Sequence, residues 1–147
     1  MKAIARSSIV EHADADMYAL VERVEAYPLF LPWCRAASVL ERTPGRTVAT
    51  LSVGLKGLGY EFTTENANRP PAAIDLRLRE GPFRHFEAQW RFHALGSRAC
   101  RIEYAMRYEF SGALVSRALA PLFQSIADTM VEAFRRRADA VYGAAPH

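Results

Sequence analysis

Histidines, cysteines and carboxylates are the residues of this 147-residue chain that could carry metal, thiol or acid–base chemistry. His12, His85, His93 and His147 have no second His, Cys, Asp or Glu at a spacing typical of metal ligands. His85 and His93 would share one face of a strand but sit about 26 Å apart at ~3.3 Å per residue, too far to share an ion. Cys34 follows an aromatic turn with no charge placed to activate it, and reads as a small buried thiol. There is no Gly-x-Ser-x-Gly elbow. Gly54, Gly57 and Gly59 are as dense as a phosphate loop, but a strand follows them, so no helix N-terminus is on offer and they read as hairpin glycines. Glu61, Glu65, Glu80, Glu87, Glu103 and Glu109 are spread along strands, most with outward parity, and no acid–base pair can be picked out. No catalytic set and no metal site emerge, so the expectation is a protein that is not an enzyme and has no cofactor.

What remains is aromatic. Tyr27, Phe30 and Trp33 crowd one short turn, next to Pro32. Phe83, Phe86, Trp90 and Phe92 follow on one stretch, Tyr104 and Tyr108 on the next. These are more rings than a single layer under one helix needs. Two fates are open: they fill a core, or they line a hollow. In a hollow, an isoprenoid or acyl tail would gain ~0.8 kcal/mol per buried CH2, and a Tyr or Trp could orient a polar head group. Phe123, Met130 and Phe134 would close the same space from the opposite side.

The elements that must position these rings are legible. Residues 3–11 alternate as a strand. Asp14 is a candidate N-cap for a helix of about three turns carrying Met17, Leu20, Val21 and Val24, which stops before Tyr27-Pro28. The stretch 27–34 reads as a tight turn or a single helical turn. About six strands follow, separated by Pro44-Gly45, Gly57-Leu-Gly59, Pro70-Pro71, Gly81-Pro82 and Gly96-Ser97. The last of them, 100–110, has the cleanest period of two. From Leu114 to Val141 a 3.6-residue stripe predicts a helix of roughly 40 Å at ~1.5 Å per residue, either starting at Pro121 or kinking there. The last five residues read as frayed. The fold class expected is α+β: a curved antiparallel sheet that grips a long C-terminal helix, in one domain over 1–147 with an ordered core of about 3–142. Its outer face would carry charge pairs of Arg101, Glu103, Arg107 and Glu109 with Glu87 and Arg91.

Composition agrees with a globular domain: 50% hydrophobic, 24% charged, net charge +3. Two cysteines are too few for a disulfide scaffold. No apolar run nears the ~20 residues of a membrane helix, and the N-terminus lacks the apolar core of a signal peptide. The expected location is cytoplasmic, or peripheral to the inner membrane. Of the 19 basic residues only Lys2 and Lys56 are lysine. The arginine excess permits phosphate contact without announcing it.

Glu25-Ala-Tyr-Pro-Leu-Phe-Leu-Pro-Trp-Cys34, Glu80-Gly-Pro-Phe-Arg-His85, Trp90-Arg-Phe92 and the C-terminal helix together resemble the START-like (helix-grip, polyketide cyclase/dehydrase, SRPBCC) superfamily. Within it they look like the branch of coenzyme Q-binding proteins and RatA ribosome association toxins. The resemblance runs from about residue 3 to 142. It implies a deep apolar cavity between sheet and helix, with Tyr27, Phe30, Pro32 and Trp33 near its entrance and the Gly81–Arg84 turn flanking it. It implies two functions. The first is non-enzymatic binding of coenzyme Q (ubiquinone) or a related polyprenyl lipid in support of respiration, with transient membrane contact. The second is binding to the large ribosomal subunit that blocks its association with the small one. The residues' own support for it is an Arg-rich, mildly basic surface, Arg77, Arg79, Arg91, Arg101 and Arg107 on the sheet and Arg135 to Arg137 on the helix, diluted by Glu87, Glu103 and Glu109. Cyclase or dehydrase catalysis, a third family activity, would need a protonatable pair in the cavity. The oligomeric state is not legible.

Overall fold

The computed structural model describes residues 1–55 and 57–143. Strand β1 (Lys2–Val10) leads into α1 (Asp14–Glu22) and a 3-10 helix at Val24–Leu29. Six strands follow: β2 (Cys34–Thr43), β3 (Arg46–Leu55), β4 (Leu58–Arg69), β5 (Ala73–Glu80), β6 (Phe83–Gly96) and β7 (Ala99–Phe110). Helix α2 (Ala113–Tyr142) closes the chain. The strands form one antiparallel sheet in the order β1-β7-β6-β5-β4-β3-β2, so the first strand pairs with the last. This is the α+β helix-grip architecture that the pattern predicts.

Side-chain parity sorts the two faces. On β7, Ile102, Tyr104, Met106, Tyr108 and Phe110 are buried, while Arg101 and Arg107 are exposed. The register carries this parity across the sheet: Tyr104 lies opposite Trp90, Met106 opposite Ala88, and Leu76 opposite Ala88 in turn. The buried face takes α2, whose stripe runs from Leu119 through Phe123, Ile126, Met130 and Phe134 to Ala138. The β3–β4 turn needs Gly57 at φ +84°, a conformation that strains any residue with a Cβ.

Several local expectations are corrected. Ala13, not Asp14, holds the N-cap position of α1; Asp14 is its first helical residue, and its carboxylate accepts from the Ala15 N–H at 2.9 Å. The helix is nine residues long, and the next stretch tightens into the 3-10 helix, which takes in Pro28. Helix α2 runs as one 30-residue element through Pro121, rather than beginning there. At ~1.5 Å per residue it spans about 45 Å. The predicted fraying beyond Gly143 lies outside the described residues.

The outer face is a lattice of charges. Arg107 meets Glu87 at 3.8 Å as the pattern predicts, but Arg91 turns to Asp75 on β5 at 2.8 Å although the register sets it opposite Glu103. Arg101 pairs with Glu103 on its own strand, and Arg79 with Glu65.

Candidate functional site

Between sheet and helix lies an enclosed, ring-lined cavity. Its walls are Tyr27 and Trp33 from the turn, Phe86 and Trp90 from β6, Tyr104 from β7, and Phe123 and Met130 from α2. All seven belong to the set that the sequence picks out. Leu51, Phe62, Thr64, Leu76, Met106 and Ile126 complete it. The sequence reading missed these six because it followed rings, and only Phe62 among them is aromatic. Strand parity could have found Thr64, since it shares the inward face of β4 with Phe62, Asn66 and Asn68, all buried. That inward row is unusually polar. Thr64 Oγ1 donates to Asn66 Oδ1 at 2.8 Å and Asn68 Nδ2 to Thr47 Oγ1 at 2.9 Å.

The cavity is small, about 50 Å³. Pockets that hold drug-sized ligands run to about 300–1,000 Å³. The remaining rings explain the difference, because they are packed against one another. Phe134 is fully buried, with its ring 5.5 Å from Tyr27, 5.1 Å from Phe30 and 5.2 Å from Trp90. Phe83 stacks on Phe110 at 5.3 Å and abuts Phe123 edge-on. Tyr108 sits beside Phe123 at 5.6 Å, and Phe92 stacks on Trp90 at 6.0 Å. Phe83, Phe92, Tyr108 and Phe134 are therefore core residues and do not face the cavity.

The lining residues bring two phenols, the Thr64 hydroxyl and the indole N–H groups of Trp33 and Trp90. Burial pushes the ionisation of Tyr27 and Tyr104 far above the ordinary phenol value, so both stay protonated. The Tyr27 hydroxyl donates to the Val21 carbonyl, and the Tyr104 hydroxyl points at Met106 Sδ at 3.4 Å. None of the lining residues is a carboxylate or an imidazole. Among the described residues there is no cluster of His, Cys, Asp or Glu able to hold a metal ion, and no helix long and apolar enough to cross a membrane.

Phe30 and Pro32 lie elsewhere. They form one wall of an open groove of about 590 Å³ on the outside of the molecule. The other wall is the C-terminal half of α2, with Asp128, Thr129, Glu132, Ala133, Arg136 and Arg137. Trp33 joins the two spaces: its ring lines the cavity, and its Nε1–H donates to Thr129 Oγ1 at 3.2 Å. The Arg137 guanidinium lies 5.1 Å from the centre of the Phe30 ring.

Residues 10–135 match the family described as polyketide cyclase/dehydrase and lipid transport. The chain belongs to that family. Within the polyketide cyclase family, it is 41% identical over 140 residues to the ribosome association toxin RatA of Pseudomonas aeruginosa, covering 95% of this chain and 97% of that one. It is 29% identical over 143 residues to the mitochondrial coenzyme Q-binding protein COQ10 homolog B of Xenopus laevis, covering 95% of this chain and 59% of that protein. Among solved structures, the Zhui aromatase/cyclase from Streptomyces sp. R1128 superposes with a TM-score of 0.84 at 16% identity, over 98% of this chain and 99% of that one. At that identity the likeness speaks for the shared family fold alone.

Proposed function

We propose that this protein binds the large ribosomal subunit and keeps it from joining the small one, without catalysis. The observation that carries the reading is the 41% identity, end to end, with a protein named as a ribosome association toxin. The interior supports it from the other side. A cavity of about 50 Å³ has room for a few water molecules, not for a quinone ring and its tail. The lining holds no acid–base pair, which speaks against a cyclase or dehydrase role. The test is sedimentation of ribosomes at low salt with added protein. The 70S peak should fall and free subunits should rise; an unchanged profile would overturn the proposal.

A second reading, binding of an apolar ligand such as coenzyme Q or another polyprenyl lipid, has one observation in its favour: a cavity walled almost wholly by rings and aliphatic groups, with Thr64 and two protonated phenols to meet a head group. It requires Phe123 and Met130 to move aside. Mass spectrometry of an organic extract of the protein purified from its own host decides it. A quinone or polyprenyl species at near one-to-one ratio supports this reading, and a clean extract with no binding of added quinone ends it.

A further inference from the structure

We infer that the groove between Phe30 and Arg137 holds a single unpaired nucleotide of ribosomal RNA. The inference rests on the ribosome-binding reading and assigns it a surface. Both carboxylates in the groove already have cations. Asp128 is held by Arg6 at 3.0 Å, and Glu132 by Arg135 and by Arg136 at 3.3 Å. Arg135 also holds Asp139 at 3.1 Å. Arg137 is the surplus charge: among the described residues no carboxylate lies within ion-pair distance of it. Its Nε is buried without a hydrogen-bond partner, a costly state for a guanidinium. Its guanidinium carbon lies over the Phe30 ring, a cation–π contact that favours the charged form in this place.

The occupant must therefore bring an anion to Arg137 and a flat or apolar part to Phe30, Pro32 and Ala133. A nucleotide has both, a phosphate and a base whose face stacks on aromatic rings and on guanidinium planes. A duplex backbone would ask for a row of free cations, and the groove supplies one. An acidic peptide would set several carboxylates against Asp128 and Glu132, whereas a single nucleotide brings one phosphate.

The experiment measures two bindings side by side: anisotropy of a labelled 12-nucleotide oligouridylate, and co-sedimentation with isolated large subunits. The proteins are the wild type, Arg137→Gln, Arg137→Lys, Phe30→Leu, and Arg69→Gln on the outer sheet as control, each checked for an unchanged melt. Arg137→Gln and Phe30→Leu should each weaken both bindings about tenfold, the scale of one lost stack. Arg137→Lys should fall between, and Arg69→Gln should match the wild type. Arg137→Gln alone decides the matter if Phe30→Leu does not fold. Subunit binding that is the same within twofold in Arg137→Gln overturns the groove and leaves the ribosome reading standing. Oligonucleotide binding that depends on Arg137 without any subunit binding keeps the groove and sinks the ribosome reading. Subunit binding that depends on Arg137 while the wild type ignores the oligonucleotide means a protein occupant and overturns the RNA assignment.

Discussion

At the scale of single residues, the buried groups answer to proton and hydrogen-bond accounting. Cys34 and Cys100 are 5% and 0% exposed, and burial pushes each thiol up from 9.0 to about 11. Between those values the folded chain keeps protons that the unfolded chain releases, so stability is fully present below pH ~9 and declines as pH rises toward about 11. Tyr27 and Tyr104 shift in the same direction and extend the loss to higher pH. Urea midpoints measured from pH 7 to 11 should be flat and then fall, with a shallower fall in the Cys34→Ala/Cys100→Ala variant. An equal fall in both proteins would show that the thiols do not contribute. Trp33 makes a second case. Its indole N–H has Thr129 Oγ1 as acceptor, so Thr129→Val strands a buried donor at a cost of about 1–3 kcal/mol, read as a lower denaturation midpoint.

Elements are held to one another by few polar ties. The C-terminal turns of α2 are fastened to the β1–α1 connection by His12 Nε2, 2.7 Å from Asp139 Oδ1, and to the first turn of α1 by the Tyr142 hydroxyl donating to the Asp16 carbonyl at 3.1 Å. His12 is 7% exposed, so Asp139→Ala leaves a buried imidazole nitrogen without its partner. We expect a loss of about 1–3 kcal/mol and faster amide exchange confined to the last two turns of α2. Uniform loss of protection across the sheet would mean that the helix end is not a separate opening unit. The same scale shows where sequence reading reaches its limit. The strands were legible because one face is apolar and the other charged, which imposes a period of two on β6 and β7. The end of α1 was not, because the chain there tightens into a 3-10 helix without any change in apolar content, and Ala13, with no capping side chain, marks its start. The continuity of α2 through Pro121 escaped the same reading, since a proline in the third turn is compatible with either a start or a passage.

For the whole molecule, charge arrangement outweighs charge total. The net charge is only +3, and Arg46, Arg69, Arg79, Arg91, Arg101 and Arg107 on the sheet are all engaged by carboxylates. Exposed pairs of this kind contribute little to stability, about 0–1 kcal/mol each, but they reduce the field that the arginine count suggests. Association with ribosomes should therefore weaken only gently with salt, with a log–log slope of about −2 to −3, few phosphates being neutralised. A slope near −8 would mean a broad phosphate track and place the contact on the sheet instead of the groove.

The amino-acid sequence alone determined the number of strands, the long helix and the inward faces of β6, β7 and α2, because alternation and the 3.6-residue stripe are local properties of the chain. It also carried the family resemblance, since Tyr27–Cys34 and Gly81–Arg84 are contiguous segments. It left open whether the rings enclose space or fill it. Tertiary packing does both: Tyr27, Trp33, Phe86, Trp90 and Tyr104 wall a small cavity, while Phe134 wedged among Tyr27, Phe30 and Trp90, and Phe83 among Phe110 and Phe123, take up the space around it. The pairing of Arg137 with Phe30 across 107 positions, and the neutralisation of the arginines around it, likewise depend on how helix and turn meet in space.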